Sequence, residues 1–183
     1  MANNKPVART MRPWFGGDRT LAEQMLGLED MFERCAGRHV LDVGCAEGDI
    51  AEQASNAGAA FVVGVEIVQE HVLVATGKNI PDARFICADV NEWKPHDEYG
   101  VVLLLAILHK LKDPRAAAVK FADACTDLLV VRWPNKGPHV INDSRSGNKN
   151  FHVTKAILKS GFILEKTVDG PRGELVSYFR RVR

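Results

Sequence analysis

The segment spanning residues 40–49, VLDVGCAEGD, constrains the fold of this chain more than any other stretch. An apolar run ends in a carboxylate, and a turn with two glycines then opens into the polar, alanine-rich start of a predicted helix. This order is typical of a nucleotide-binding loop at the carboxyl end of a first parallel strand. The alternative is an ordinary turn between a strand and a helix, and the segment alone leaves both open.

The spacing within this loop indicates which ligand it suits. Glycines stand at 44 and 48, which differs from the G-x-G-x-x-G spacing that cradles a pyrophosphate. Asp42 also places a negative charge where it would repel a phosphate. The loop therefore favours a nucleoside that lacks phosphates and carries an amine.

Composition and charge narrow the class of protein. The length of 183 residues, with 46% hydrophobic and 26% charged residues, suits one ordinary soluble domain. The net charge of +1 indicates no general affinity for DNA or a membrane, and no apolar run approaches the roughly 20 residues of a membrane span. The polar, basic N-terminus lacks the apolar core of a secretory signal. The cysteines are widely spaced and are expected to be small buried residues in a reducing compartment: Cys35, Cys45, Cys87 and Cys125. We therefore expect a cytoplasmic protein.

Predicted strands and helices alternate along most of the chain. A capping box at Thr20 and Glu23 starts a predicted helix over 20–36. The strands that follow are expected at 39–43, 61–66, 84–88, 99–105 and 128–133, with helices between them at 47–57, 68–76 and 113–125. This alternation argues for a parallel sheet flanked by helices.

The pattern changes after Pro134. Residues 135–150 are predicted to form a long loop, and a short helix is expected at 153–160. Two strands, at 162–168 and 175–180, would then form an antiparallel hairpin that closes one edge of the sheet. We expect one domain over residues 18–183, preceded by an N-terminal arm at 1–17.

Two further acidic residues follow predicted strands. Glu66 ends the second strand, where a carboxylate accepts hydrogen bonds from the ribose hydroxyls in nucleotide-binding folds. Asp89 follows the third strand. The alternatives are a solvated acid ahead of a helix for Glu66 and a turn or helix cap for Asp89. Because the carboxyl ends of parallel strands meet at one edge, we expect Asp42, Glu66 and Asp89 to converge on one crevice.

With these residues in place, the chain resembles the class I S-adenosylmethionine-dependent methyltransferases from about residue 18 to its C-terminus. Their glycine-loop signature, acidic–x–G–x–G–x–G, matches Asp42, Gly44, Ala46 and Gly48, with alanine at the middle glycine. The resemblance implies a single-domain, Rossmann-like α/β fold with a seven-stranded, mostly parallel sheet, an antiparallel last strand and helices on both faces. It also implies S-adenosyl-L-methionine as the methyl donor.

The resemblance assigns roles within the crevice. Free N–H groups at the start of the helix after Gly48 would receive the methionine carboxylate, and Asp42 would bind the methionine ammonium, directly or through water. Asp89 would contact the adenine amino group. Ile67, Val90 and Ala106 would wall the adenine, although such residues also belong to ordinary cores. The residues expected to bind the cofactor are Asp42, Gly44, Cys45, Ala46, Gly48, Glu66, Ile67, Asp89, Val90 and Ala106.

The segment LHKLKDP at 108–114 follows the fourth predicted strand. It is similar to the L-H-H-L-x-D-P segment of methyltransferases acting on quinones, other small molecules and modified tRNA uridines. There the first histidine faces the transferable methyl, so His109 is the candidate catalytic residue that orients or deprotonates the acceptor. The alternative is a histidine that only caps the local turn. Methyl transfer needs no metal, and none is expected.

Other residues near the expected rim have two interpretations. Trp14 would lie beside the cofactor sulfonium or pack against the first helix, and Trp133 would stack on a planar acceptor or pack in the core. The basic segment at 135–152 suits an acceptor that carries a carboxylate or phosphate, including an RNA backbone, or it is a solvated loop.

These patterns predict an enzyme that transfers a methyl group from S-adenosylmethionine to oxygen or carbon of a small-molecule acceptor. The alternatives are a methyltransferase that modifies tRNA or another RNA, and a non-catalytic S-adenosylmethionine-binding subunit or sensor. The near-neutral charge and the absence of a basic appended domain favour the small molecule. The oligomeric state stays open, because the terminal hairpin is either a free edge or an interface.

Overall fold

The computed structural model describes residues 19–134 and 151–182. Its strands are β1 (His39–Val43), β2 (Phe61–Glu66), β3 (Ala83–Cys87), β4 (Tyr99–Leu105), β5 (Cys125–Trp133), β6 (Phe162–Asp169) and β7 (Leu175–Arg181). Its helices are α1 (Leu21–Met25), α2 (Glu29–Glu33), α3 (Asp49–Asn56), α4 (Gln69–Gly77), α5 (Pro114–Asp123) and α6 (Phe151–Lys159), and a 3₁₀ turn spans Leu108–Lys110. The N-terminal arm at 1–17 and the loop at 135–150 lie outside the described residues.

The seven strands form one sheet in the order β3-β2-β1-β4-β5-β7-β6. The first five strands pair in parallel, whereas β7 is antiparallel to both β5 and β6. Because β1 and β4 lie at the centre and are covered on both faces, their sequences are almost continuously apolar. The predicted mostly parallel sheet with an antiparallel last strand is confirmed, as is the terminal hairpin at one edge.

Helices cover both faces of the sheet and divide the core in two. Leu28, Met31 and Ile50 from α2, α3 and the preceding turn pack on one face. Phe121 and Ile157, from α5 and α6, pack on the other. The strand residues alternate between these two layers because successive side chains of a strand point to opposite faces.

The prediction of one helix over 20–36 is wrong. The capping box at Thr20 forms, but α1 ends at Met25 and α2 begins only at Glu29. Gly27 causes the break, since it has a φ of +79° and any Cβ there would lie 2.6 Å from the carbonyl oxygen of Asp169. The Tyr178 hydroxyl, which donates to the Gly27 carbonyl oxygen at 2.6 Å, ties this turn to β7. The apolar spacing is kept across the break, so the periodicity did not reveal it.

Two other expectations, for the cysteines and for the start of α5, have different outcomes. Cys35, Cys45 and Cys125 are buried as predicted, but Cys87 is exposed because it ends β3 at the edge of the sheet. Asp113 caps α5 as expected, accepting a hydrogen bond from the Ala116 N–H at 2.9 Å, and Pro114 is the first helical residue. None of the helices in the described part of the chain is both long and apolar enough to cross a membrane.

Candidate cofactor and active site

The carboxyl ends of β1, β2 and β3 bring three acidic residues to one edge of the sheet. Asp42 lies within β1 and is 2% exposed, and Glu66 is the last residue of β2 and is 8% exposed. The Ala88 N–H donates to the Glu66 carbonyl oxygen at 2.9 Å, which places the end of β3 and the following Asp89 beside β2. The parallel topology therefore puts the three acids on neighbouring strands, as the sequence predicted.

Glu66 ties two loops together. Its Oε2 accepts a hydrogen bond from the Ala46 N–H at 3.0 Å, in the loop between β1 and α3. Its Oε1 accepts from the N–H groups of Ile67 and Val68, at 2.9 and 3.0 Å. Neither the expected ribose role nor a solvated acid describes this position completely, because the carboxylate is buried and already organises the backbone around it. Carboxylate oxygens have several acceptor sites, so these bonds leave capacity for a ligand hydroxyl.

Asp42 has an unusual electrostatic environment. Burial, and after it the nearby negative charge of Glu66, raise the pKa of its carboxyl group to about 7 against the opposing charge of the Arg132 guanidinium. A buried acid with such a shift, next to a second buried acid, is typical of a functional site. A ligand cation placed here would lower this pKa and bind favourably.

Arg132 was expected at the rim, where the fifth strand ends, but its burial beside Asp42 was not predicted. It lies on β5 and is 4% exposed, and its Nη2 donates to the carbonyl oxygens of Gln24, at 2.5 Å, and Leu26, at 3.5 Å. Burial, and after it the Arg19 charge, lower the pKa of its guanidinium to about 10, although Glu174 and Asp42 oppose the shift. The sequence shows only an arginine near the end of an apolar strand. The turn that buries this arginine comes from a distant part of the sequence.

The glycine loop adopts a left-handed backbone at three of its positions. Gly44 and Gly48 both have a φ of +77°, and Ala46 has a φ of +47°. Any Cβ at Gly44 would lie 2.9 Å from Cδ1 of Ile107, and one at Gly48 would lie 3.0 Å from Phe85. The glycines are therefore required by the left-handed backbone and by the neighbouring protein side chains. Ala46 adopts the same left-handed region with a Cβ, which costs about 1 kcal/mol.

The position of Cys45 explains why residue 64 is a glycine. A Cβ at Gly64 would lie 2.7 Å from Sγ of Cys45, so the small residue on β2 makes room for the loop. Burial raises the pKa of the Cys45 thiol well above its usual range, and the charges of Asp42 and Glu66 raise it further. Cys45 is therefore a neutral packing residue beneath the loop.

The expected adenine region is only partly exposed. Asp89 Oδ1 accepts hydrogen bonds from the backbone N–H of Asn91 at 2.8 Å and from its side-chain amide at 2.7 Å, so the turn-cap role is present. Those two bonds hold the pKa of the Asp89 carboxyl below its usual range. Ile67 is 52% exposed, whereas Val90 is buried in the core at 6% exposure. Ala106 has a φ of +54°, which turns the chain sharply after β4.

His109 lies in the 3₁₀ turn that follows β4, at the same edge of the sheet as the acids. The side chain is half-buried. The structure thus places His109 directly after β4, and its role toward an acceptor stays a prediction. Trp133, by contrast, is 4% exposed and donates from Nε1 to the Ser177 Oγ at 2.8 Å, so it packs in the core and does not stack on an acceptor. Trp14 lies outside the described residues.

The candidate site thus consists of acidic residues at the carboxyl ends of three neighbouring parallel strands and of the loop after β1, whose backbone is left-handed at three positions. Comparison with known proteins gives this arrangement a class. Residues 40–128 match the family model of a methyltransferase domain, a stretch that begins in β1 and ends in β5.

Relatives agree with this match. The chain is 35% identical over 100 residues to the ubiquinone biosynthesis O-methyltransferase of Neisseria meningitidis serogroup C, and the matched stretch covers 51% of this chain and 40% of that protein. The structure is similar to an S-adenosylmethionine-dependent methyltransferase from Mesorhizobium loti, with a TM-score of 0.72 and 15% identity, covering 88% of this chain and 100% of the other. It is also similar to magnesium protoporphyrin IX methyltransferase from Synechocystis PCC 6803 with bound SAH, with a TM-score of 0.70, 17% identity, and coverage of 88% and 82%.

The fold and the matched domain are those of the class I Rossmann-like methyltransferases. Residues 40–128 match this methyltransferase family, and the chain spans 40% of the length of the curated relative that it matches. The described residues fit the family's cofactor chemically, because Asp42, Glu66 and Asp89 offer acceptors, and the ammonium, ribose hydroxyls and adenine amino group of S-adenosylmethionine are all donors.

Proposed function

We propose that this chain transfers the methyl group of S-adenosylmethionine to oxygen or carbon of a small-molecule acceptor. The observation that carries the proposal is the pair of buried carboxylates, Asp42 and Glu66, at adjacent strand ends beneath the glycine loop. Burying two acids side by side lowers the stability of a fold, and such pairs are typical of functional sites. The relative named as an O-methyltransferase in ubiquinone biosynthesis supports a small acceptor.

Each residue would bind a different part of the cofactor. Asp42 would bind the methionine ammonium, and Glu66 would accept hydrogen bonds from the ribose hydroxyls while it holds the N–H groups of Ala46, Ile67 and Val68. Asp89 would face the adenine amino group, with Ile67 and Ala106 beside the ring. The remaining expected contacts are backbone contacts along the loop at Gly44, Cys45, Ala46 and Gly48.

His109 would act on the acceptor. Bound S-adenosylmethionine supplies an electrophilic methyl group for in-line displacement. The chain itself must then hold the acceptor in line and exclude water, which supplies much of the acceleration in such reactions. The imidazole would accept the proton from an acceptor hydroxyl, a role suited to a group that titrates near neutral pH.

Calorimetric titration with S-adenosylmethionine tests the cofactor site. Asp42→Asn and Glu66→Gln should each weaken binding about tenfold to a hundredfold, because each removes a charge-assisted contact. Glu98→Gln is the matched control: Glu98 is exposed and precedes β4 at the opposite edge of the sheet, so affinity should not change. Unchanged affinity in both site variants would refute the assignment.

Turnover on an acceptor panel tests the reaction. Incubation with phenols, quinols and tRNA, followed by measurement of S-adenosylhomocysteine, should show transfer to a small molecule. His109→Gln should lower kcat more than cofactor affinity. Transfer to tRNA that falls steeply with salt would favour the RNA-modifying alternative, and binding without turnover on any acceptor would favour a sensor or subunit.

A further inference from the structure

The proposed chemistry does not use Asn91, yet its side chain joins two parts of the candidate site. Its Nδ2 donates to Oδ1 of Asp89 at 2.7 Å, on the turn after β3. Its Oδ1 accepts from the backbone N–H of Lys112 at 3.0 Å, in the segment between β4 and α5 that also contains His109. Asn91 therefore connects the acid expected to bind adenine with the segment expected to face the acceptor.

The turn at residues 89–93 is anchored to α5. The Trp93 N–H donates to the Asp89 carbonyl oxygen at 2.8 Å, which closes the turn. Nζ of Lys120, on α5, donates to the carbonyl oxygens of Val90 and Trp93, at 2.5 and 2.8 Å. Hydrogen bonds from a charged donor are stronger than those from a neutral one, so the turn and α5 hold a fixed relative position.

Two contacts link Lys112 to this turn, and they differ in strength. Besides the bond to Asn91, Nζ of Lys112 pairs with the Glu92 carboxylate at 3.2 Å. The two side chains of this ion pair are 73% and 76% exposed, so water screens their attraction and the pair contributes little. Asn91 is half-buried and bonds to a backbone N–H directly ahead of Asp113, the N-cap of α5. The hydrogen bond of Asn91 is therefore the stronger link.

The orientation of the Asn91 amide follows from its two partners. Asp89 is ionised at neutral pH, because its hydrogen bonds to Asn91 hold its pKa below the usual range, and an ionised carboxylate only accepts. A backbone N–H only donates. The NH₂ group of Asn91 must therefore face Asp89, and its oxygen must face Lys112. A new partner at the carboxylate is thus felt at Lys112 through one amide whose two hydrogen bonds polarise each other.

We propose that Asn91 is a positioning residue that fixes the segment carrying His109 when adenine is bound at Asp89. An adenine amino group that donates to the Asp89 carboxylate would withdraw electron density from it, and the hydrogen bonds of Asn91 would adjust in turn. Lys112 lies three residues after His109 in the same short segment, so holding its N–H limits the positions open to the imidazole. This role rests on the proposed function, because it requires adenine at Asp89 and an acceptor near His109.

Calorimetry and nitrogen–proton correlation spectra of the full chain, titrated with S-adenosylhomocysteine, test this role. In the native chain the Lys112 backbone amide should shift saturably, at the affinity that calorimetry gives. Its hydrogen exchange should slow about fivefold, the lower end of ordinary coupling between two sites. In Asn91→Ala the affinity should change by less than about threefold, because no ligand contact is removed, but the Lys112 response should be lost.

Glu92→Gln is the matched control. It removes the exposed ion pair of Lys112 but keeps the Asn91 hydrogen bond, so the Lys112 amide should respond as in the native chain. On an acceptor that supports turnover, Asn91→Ala should lower kcat about tenfold while the S-adenosylmethionine affinity is retained, and Glu92→Gln should leave kcat unchanged.

An analogue of S-adenosylhomocysteine with inosine in place of adenosine isolates the route through the adenine amino group. Inosine has a carbonyl oxygen where adenosine has the amino donor, so the analogue cannot make the same bond to Asp89. At saturation it should shift the Lys112 amide much less than S-adenosylhomocysteine does. This comparison uses the native chain and does not depend on the folding of a variant.

The outcomes separate this role from the proposed function. No binding of S-adenosylhomocysteine in calorimetry would overturn both. Binding without a response at Lys112 in the native chain, or an equal response in Asn91→Ala, would overturn the positioning role and leave the cofactor site standing. Loss of the response in Glu92→Gln, or equal Lys112 shifts with the inosine analogue, would also overturn it.

Discussion

The two faces of the central sheet differ in chemistry although the same strands build both. On the face covered by α5 and α6, β1 contributes Leu41 and Val43, and β5 contributes Leu129 and Val131, all buried and apolar. On the face covered by α2 and α3, the same strands contribute charged residues as well as apolar ones. The charged residues include Asp42 and Arg132. We call these the apolar face and the charged face.

The difference shows how one sheet serves two purposes. The apolar face buries side chains that stabilise the fold through loss of water-exposed surface. The charged face buries groups that oppose folding, since each ion loses its hydration when it is buried. Stability and chemistry are thus separated by the alternation of side chains along each strand, and variants on the two faces should behave differently.

The largest effect is expected on the apolar face. Phe121 is fully buried and its ring stacks with Trp93, with ring centroids 6.4 Å apart. Phe121→Ala should lower the free energy of unfolding by about 4 kcal/mol, measured by urea denaturation, because it leaves a large cavity. The folded fraction should keep its S-adenosylmethionine affinity in calorimetry. A proportional loss of affinity would show that the two faces are coupled.

A smaller loss is expected for Arg132→Met on the charged face. The variant removes the cation that faces Asp42 and releases the carbonyl oxygens of Gln24 and Leu26, and should cost about 3 kcal/mol in urea denaturation at pH 8. The double variant with Asp42→Asn should recover part of this loss, because the uncompensated carboxylate is removed as well. Strictly additive losses would mean that the two charges do not interact.

Asp42→Asn alone should stabilise the protein. The pKa of Asp42 is about 7 in the folded state and about 3.9 in an unfolded chain, so the unfolded chain loses this proton at lower pH. The free energy of unfolding should therefore fall as pH rises from about 4 to 7 and level off above 7. Asn removes this dependence and should add about 2 kcal/mol at pH 8, with little change at pH 4. Thermal unfolding of both proteins across this range would show whether the curves converge at low pH.

The smallest effect concerns Ala46, the departure from the glycine signature. Its φ of +47° lies in the left-handed region, where glycine has no Cβ penalty. Ala46→Gly should raise the free energy of unfolding by about 0.5–1 kcal/mol. The greater conformational entropy of glycine in the unfolded chain reduces this gain. Asn79→Gly, at an exposed left-handed position with a φ of +51°, should gain less, because asparagine tolerates this region and its side-chain amide donates to the Gly77 carbonyl oxygen at 3.0 Å. Destabilisation at Ala46 alone would indicate that its methyl group makes a useful contact.

Much of the fold was predictable because local patterns and topology agree. The apolar strands, the capping box and the Asp113–Pro114 helix start each depend on neighbouring residues. The convergence of Asp42, Glu66 and Asp89 follows from parallel pairing alone. The break at Gly27 was not predictable, because it arises from contact with Asp169 and Tyr178, more than a hundred residues away in sequence.

The same distinction applies within the site. The residue types at 42, 44, 46 and 48 form a local signature, and the backbone is left-handed at the last three of these positions. Burial of Arg132 and Trp133 was not predictable, since α1 and β7 supply the groups that cover or bond them. The three hydrogen bonds that Glu66 accepts from backbone N–H groups were not predictable either, because their donors lie in two loops that meet only in the folded protein.

The hydrogen bonds of Glu66 give this protein an internal spectroscopic reporter. Because one carboxylate accepts from the amides of Ala46, Ile67 and Val68, any ligand that withdraws electron density from it alters all three together. Their resonances should move in concert during a titration, whereas amides on the apolar face stay still. Occupancy of the crevice can thus be followed without a label on the ligand.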